Sequence, residues 1–166
     1  MFRKYKGELG LGLTAFIWGS GFIGVSISLS GGLTPLQILT IRFFIGAILL
    51  GVIFFKEIKN NITKEAVIAG SMIGVFLFIA FVFQTIGISY TTASKNAFLT
   101  AINVVIVPFI GFILYKRPLD KYGIISSIIA ILGIGILSLD VDFTINFGDF
   151  LTIICAFGFA FHLFFT

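Results

Sequence analysis

The sequence predicts an all-α, polytopic membrane protein with six apolar runs between Leu9 and Thr166. Three observations predict it. Six apolar runs reach, or nearly reach, the roughly 20 helical residues needed to cross a hydrocarbon core about 30 Å thick. Of the 166 residues, 58% are hydrophobic and only 11% charged, against roughly 25% charged in a soluble domain; mean hydropathy is +1.16. Lys and Arg gather between the runs on alternating sides, the pattern of membrane topology.

The first run, Leu9–Leu29, follows the basic segment FRKYK. It is too long for the apolar core of a signal peptide and lacks a small-x-small cleavage site before polar sequence, so it reads as a retained span. Trp18 falls near its middle, roughly 15 Å from either edge. Indoles prefer the membrane interface, so a midplane tryptophan suggests an aromatic wall. The turn SGG at 30–32 leads to Pro35–Phe55, where Pro35 suits the first turn of a helix because its missing N–H costs nothing there. Arg42, seven residues in, lies roughly 10 Å below the outer boundary. The connector KNN at 59–61 precedes Ala66–Ile88. Ala66, Gly70 and Gly74 form a stripe there that suits close helix packing, and Gln84 sits one turn from the outer end. In Asn96–Tyr115, the polar residues Asn96, Thr100 and Asn103 share one face. Asn103 lies at about the depth of Arg42, and Pro108 leaves the Val104 carbonyl without its usual donor. A corner at Pro118–Asp120 leads to Tyr122–Leu139, with Gly123, Ser127 and Ala130 as a second small stripe. Phe150–Thr166 is the sixth run.

Orientation follows from the basic residues. Arg3, Lys4 and Lys6 precede the first run; Lys56, Lys59 and Lys64 follow the second; Lys116, Arg117 and Lys121 follow the fourth. The opposite side holds Lys95, which reads as a solvated connector residue, and Asp140, Asp142 and Asp149. The N-terminus is therefore expected in the cytoplasm, with the chain in the cytoplasmic membrane. The net charge of +4 does not imply nucleic acid, because the basic residues form no continuous patch.

Chemistry narrows further. A lone cysteine, Cys155, excludes an internal disulfide and a cysteine-cluster metal site. The sole histidine, His162, has no His, Asp or Glu nearby to complete a ligand set and reads as interfacial; neither metal nor cofactor is expected. No Ser/His/Asp grouping or phosphate-cradling glycine motif supports an intramembrane enzyme, and no charge ring or carbonyl filter supports a channel.

Residues 7–16, GELGLGLTAF, resemble residues 148–157, GDFLTIICAF. Five spans separate the two, so the second copy enters the membrane from the opposite side. That is the arrangement of an inverted repeat, typical of secondary transporters. Two placements are open to Arg42: its stem can snorkel to the headgroups, or it can line a wet cleft. Its depth, shared with the amides, favours a polar cavity opening outward, because intramembrane ionisable groups face protein or water.

WGSGF at 18–22, IRFFIGA at 41–47, QTIGISYTTASKNAFLTAINVVIVP at 84–108 and KRPLDKYGIISSIIAILGIGILSL at 116–139 resemble the EamA family of the drug/metabolite transporter superfamily. The resemblance implies ten helices in two inverted five-helix repeats around a central site. Residues 1–140 would be the first repeat, and 141–166 the loop and first helix of a truncated second. The residues expected to bind substrate are Trp18, Arg42, Gln84, Asn96, Thr100 and Asn103. Many family members carry Gly-Glu after the fourth helix, where this chain has Lys116-Arg117-Pro118. The expected function is secondary transport of small organic metabolites, anionic or zwitterionic through Arg42, by alternating access. The alternative is a non-transporting membrane scaffold or assembly subunit. Expected partners are a small-molecule substrate, the lipid bilayer and a missing second repeat or dimer partner.

Overall fold

The computed structural model describes residues 6–116, 121–138 and 145–166. Among them are eight helices and no strand: α1 (Lys6–Ser30), α2 (Pro35–Ile53), α3 (Phe55–Asn61), α4 (Lys64–Ile88), α5 (Ala93–Ala101), α6 (Asn103–Tyr115), α7 (Lys121–Ser138) and α8 (Phe147–Phe165). The basic residues Arg3, Lys4 and Arg117, the corner at Pro118–Asp120, and Asp140 and Asp142 at the expected repeat boundary lie outside the described residues.

Among the described residues, five helical spans are long and apolar enough to cross a membrane: Gly7–Ser30, Pro35–Ile53, Lys64–Ile88, Ala93–Tyr115 and Phe147–Phe165. The protein is therefore an all-α, multi-pass membrane protein, as its composition predicts. α7 supplies a shorter apolar helix within the run expected at Tyr122–Leu139.

Local chemistry sets the ends. Thr34 caps α2 in a reciprocal capping box with Gln37, just ahead of Pro35 at the first helical position. Asn146 and Asp149 form a second capping box that starts α8 three residues before the expected Phe150. The fourth span is interrupted at Ile102, whose N–H bonds to the Leu99 carbonyl rather than one residue further back. This tightening stands just before the turn in which Pro108 removes a donor. α6 ends at Lys116, which adopts a left-handed conformation (φ 50°). Glycine enters that conformation without penalty.

Packing centres on α8, which runs along α4 and against α5 and α6; α7 packs on α5 and α6, α1 on α5, and α2 on α4. The closest approaches use glycines outside the two expected stripes. A methyl on Gly148 would meet the backbone of Gly87, Tyr90 and Thr91 at 2.5–2.9 Å, and one on Gly158 would meet Ala80 at 3.0 Å. Gly70, Gly74 and Gly123 have no such neighbour within 4 Å. Close packing therefore joins α8 to α4, while of the predicted stripes Ala66 and Gly70 stay exposed and Ser127 is buried.

Candidate functional site

The polar residues predicted inside the membrane separate into two environments. Gln84, Asn96 and Thr100 stand in a buried ladder between α4, α5 and α8. Gln84 Nε2 donates to Thr100 Oγ1 (3.3 Å), whose hydroxyl lies 3.8 Å from Cys155 Sγ. Asn96 Nδ2 donates to Thr152 Oγ1 (2.7 Å) and to the Gln84 carbonyl (3.2 Å). Thr152 in turn donates to the Gly148 carbonyl at 2.7 Å. The shared face of Asn96 and Thr100 is real, but α8 covers it.

At the N-terminal end of α8 the ladder closes with charge. Lys95 Nζ lies 2.7 Å from Asp149 Oδ2, with the two side chains 14% and 2% exposed. Thr91 Oγ1 donates to Asp149 Oδ1 at 2.7 Å, and the Asn146 N–H donates to Oδ2 at 3.0 Å. Lys95 is thus an ion-pair partner rather than the solvated connector residue expected of it. Its partner is sequence-remote, so hydropathy gave no sign of the pair. The Asn146-x-x-Asp149 spacing and the common face of Gly148, Thr152 and Cys155 are the readable signals that α8 docks there.

Trp18 and Arg42 occupy the second environment, a cleft of about 450 Å³ bounded by α1, α2, α4 and α8. The Arg42 guanidinium lies 4.2 Å above the Phe81 ring, a cation–π contact that holds it over apolar surface. α1 passes beside it at Gly21, where a methyl would make an ordinary contact 3.5 Å from Arg42 Nη2. Aromatic rings continue the wall: Phe159 meets both Trp18 (5.7 Å) and Phe81 (5.1 Å) edge to face. His162 lines the same cleft with Thr14, so it faces an internal cleft where an interfacial position was expected. Arg42 also borders a second hollow of about 420 Å³ near Gly21, Gly24 and Ser28. Asn103, 2% exposed, lines a third hollow of about 290 Å³ together with Trp18 and Thr100.

The six residues therefore do not share one pocket. Arg42 and Trp18 meet in the cleft; Trp18, Thr100 and Asn103 meet in the third hollow; Gln84 and Asn96 line neither and bond to neighbouring helices. Trp18 alone belongs to both spaces. Among the described residues no group of three His, Cys, Asp or Glu could hold a metal ion.

Residues 5–139 match the model of the EamA-like transporter family. The chain belongs to that family. It is 36% identical over 158 residues to an uncharacterized transporter of Archaeoglobus fulgidus, covering 95% of this chain and 48% of the relative. An uncharacterized transporter of Clostridium kluyveri is 31% identical over 141 residues, covering 80% of this chain and 44% of the relative. The chain spans about half the length of these curated relatives. No solved structure matches it significantly. The EamA-like match covers α1 to α7, and the similarity to the archaeal relative spans 95% of the chain.

Proposed function

We propose that the chain is the first five-helix repeat, with the opening helix of the second, of a secondary transporter. It moves small organic metabolites, anionic or zwitterionic, across the cytoplasmic membrane by alternating access, with the N-terminus in the cytoplasm. One observation carries the substrate class. A permanently charged guanidinium lines an aromatic cleft in which, among the described residues, no carboxylate takes part. Such a group gains most from an incoming carboxylate or phosphate, through charge-assisted, often bidentate hydrogen bonds. Arg42 and Trp18 would touch substrate in this cleft. Gln84, Asn96 and Thr100 would hold the α4–α5 wall in register behind it, and Asn103 would support Trp18 from the far side.

The ladder also supports the inverted repeat. In residues 148–157, Gly148, Asp149, Thr152 and Cys155 dock α8 on the α4–α5 pair. Their counterparts in 7–16 are Gly7, Glu8, Leu11 and Thr14, which are exposed, and Gly7 has nothing within 4 Å. A second repeat would cover α1 as the first covers α8, from a continuation of the chain or from a partner.

Uptake into membrane vesicles tests the substrate class, comparing wild type with Arg42→Ala and Arg42→Lys over a panel of radiolabelled anionic and zwitterionic metabolites. Arg42→Ala abolishes uptake of the transported compound, and Arg42→Lys restores part of it. Unchanged uptake of the whole panel by Arg42→Ala would remove Arg42 from the site. Leu77→Cys, on the α4 wall of the cleft, separates the carrier from the scaffold alternative. In a carrier it reacts with a small aqueous thiol reagent while the fully buried Cys155 does not; a Leu77→Cys as inert as Cys155 favours the scaffold.

A further inference from the structure

Resting on the reading of the Arg42 cleft as the substrate cleft, we infer that His162 is its proton-binding group, so that the cleft takes up an anion together with a proton. Among the described residues, Arg42 and His162 are the two side chains of basic chemistry on the lining, and no carboxylate joins them. They enter from different helices, Arg42 from α2 and His162 from α8. The remaining elements present nothing charged: α1 offers Thr14 and Trp18, and α4 offers Leu77 and Phe81. The Lys95–Asp149 pair lies thirteen residues up α8 from His162, roughly 20 Å along the helix.

The geometry also assigns the exchanging atom. His162 Nδ1 lies 3.2 Å from the Ile73 carbonyl oxygen of α4. A carbonyl oxygen only accepts, so Nδ1 carries the hydrogen in this contact and Nε2 is left to gain or lose the proton. Imidazole is the side chain whose ordinary range spans neutrality. No acid on the lining competes with it for that role. An anion held at Arg42 lowers the cost of placing a second positive charge in the cleft. Protonation of His162 strengthens the anion's binding by the same factor, since the coupling is reciprocal. A monovalent anion and one proton then cross with no net charge, and the proton gradient sets the direction.

The chain has one histidine, so 15N-histidine labelling of protein made without a polyhistidine tag reports a single imidazole by NMR in lipid nanodiscs. Spectra recorded from about pH 8 to about pH 5 should show the Nδ1–H tautomer in the neutral ring and a proton gained at Nε2. Arg42→Gln raises the proton affinity about three-fold or more, because a nearby positive charge is gone, whereas Arg42→Lys leaves it close to wild type. A ring that stays neutral across that range, an Nε2–H tautomer, or a titration indifferent to Arg42→Gln overturns the proposal. The wild-type titration decides even if a variant fails to fold. A negative result removes the proton but leaves anion uptake through Arg42 to the vesicle assay.

Discussion

Removing the Asp149 carboxylate should destabilise the helix bundle by about 3 kcal/mol, and the structure supplies the terms. Asp149 accepts from Lys95 Nζ (2.7 Å), Thr91 Oγ1 (2.7 Å) and the Asn146 N–H (3.0 Å). Two unit charges about 4 Å apart attract by about 4 kcal/mol at an effective dielectric constant near 20, whereas a solvated surface pair is worth about 0–1 kcal/mol. With the side chains 14% and 2% exposed, this pair belongs near the buried limit. There, breaking a pair from one side costs about 3–5 kcal/mol, because the remaining charge stays desolvated. The slight exposure of Lys95 places Asp149→Ala at the lower end. Lys95→Met should cost less, about 2 kcal/mol, since the carboxylate keeps the Thr91 hydroxyl and the Asn146 N–H.

The double variant Lys95→Met/Asp149→Ala separates an ion pair from two independent losses. It should be less damaging than the two single costs together by about 1.5–3 kcal/mol. The assay is reversible unfolding in bicelles, followed by helical circular dichroism and by emission of Trp18, the single tryptophan. Single costs below about 0.5 kcal/mol that add without coupling would mean that the pair is solvated and that α8 is not held at its N-terminal end by charge.

Two further perturbations probe the backbone. Gly148→Ala drives a methyl into the backbone of Gly87, Tyr90 and Thr91, which cannot rotate away, and should cost about 2 kcal/mol or more in the same unfolding assay. Gly74→Ala meets nothing within 4 Å and should be neutral or stabilising by up to about 1 kcal/mol; equal costs for the two would contradict the α4–α8 contact described. Lys116→Gly relieves the left-handed backbone at the end of α6 and should stabilise by about 1 kcal/mol, read as a raised midpoint. A lowered midpoint would mean that the Lys116 side chain contributes more than its backbone conformation costs.

The helices are legible because a membrane makes apolar run length nearly synonymous with a helix: five spans stand where hydropathy places them. Their ends are less so. α8 begins at a capping box rather than at the first long apolar stretch, and the fourth span tightens at Ile102, six residues before Pro108. Helical periodicity correctly puts Asn96 and Thr100 on one face, yet it cannot say what that face meets. An amide at mid-depth reads identically whether it points at a cavity or at Thr152. Lys95 and His162 show the same limit from the other side. Each has a neighbour more than fifty residues away, Asp149 and Ile73, and no local pattern encodes such a meeting. Small-residue stripes are equally ambiguous, because a glycine permits close approach without naming the helix that approaches.

What separates the functional candidates from the structural ones is how much bonding capacity the fold leaves unused. The Gln84 and Asn96 side-chain amides donate to neighbours within the bundle, and the Asp149 carboxylate is matched by a cation, a hydroxyl and a backbone N–H. A substrate could recruit those amide donors or that carboxylate only by breaking bonds in a low-dielectric interior, where each unmade hydrogen bond costs about 1–3 kcal/mol, and the unpartnered Asn96 Oδ1 is fully buried away from the cleft lining. Arg42 is different. Its contact in the fold is an aromatic face, which attracts the cation but satisfies none of its N–H donors. His162 likewise has one nitrogen bound to Ile73 and the other unassigned. Specific binding draws on groups that are oriented yet unspent, and the cleft between α1, α2, α4 and α8 is where both of these lie. The rigid ladder behind it keeps Phe159 and Phe81 fixed as the wall against which those groups are presented.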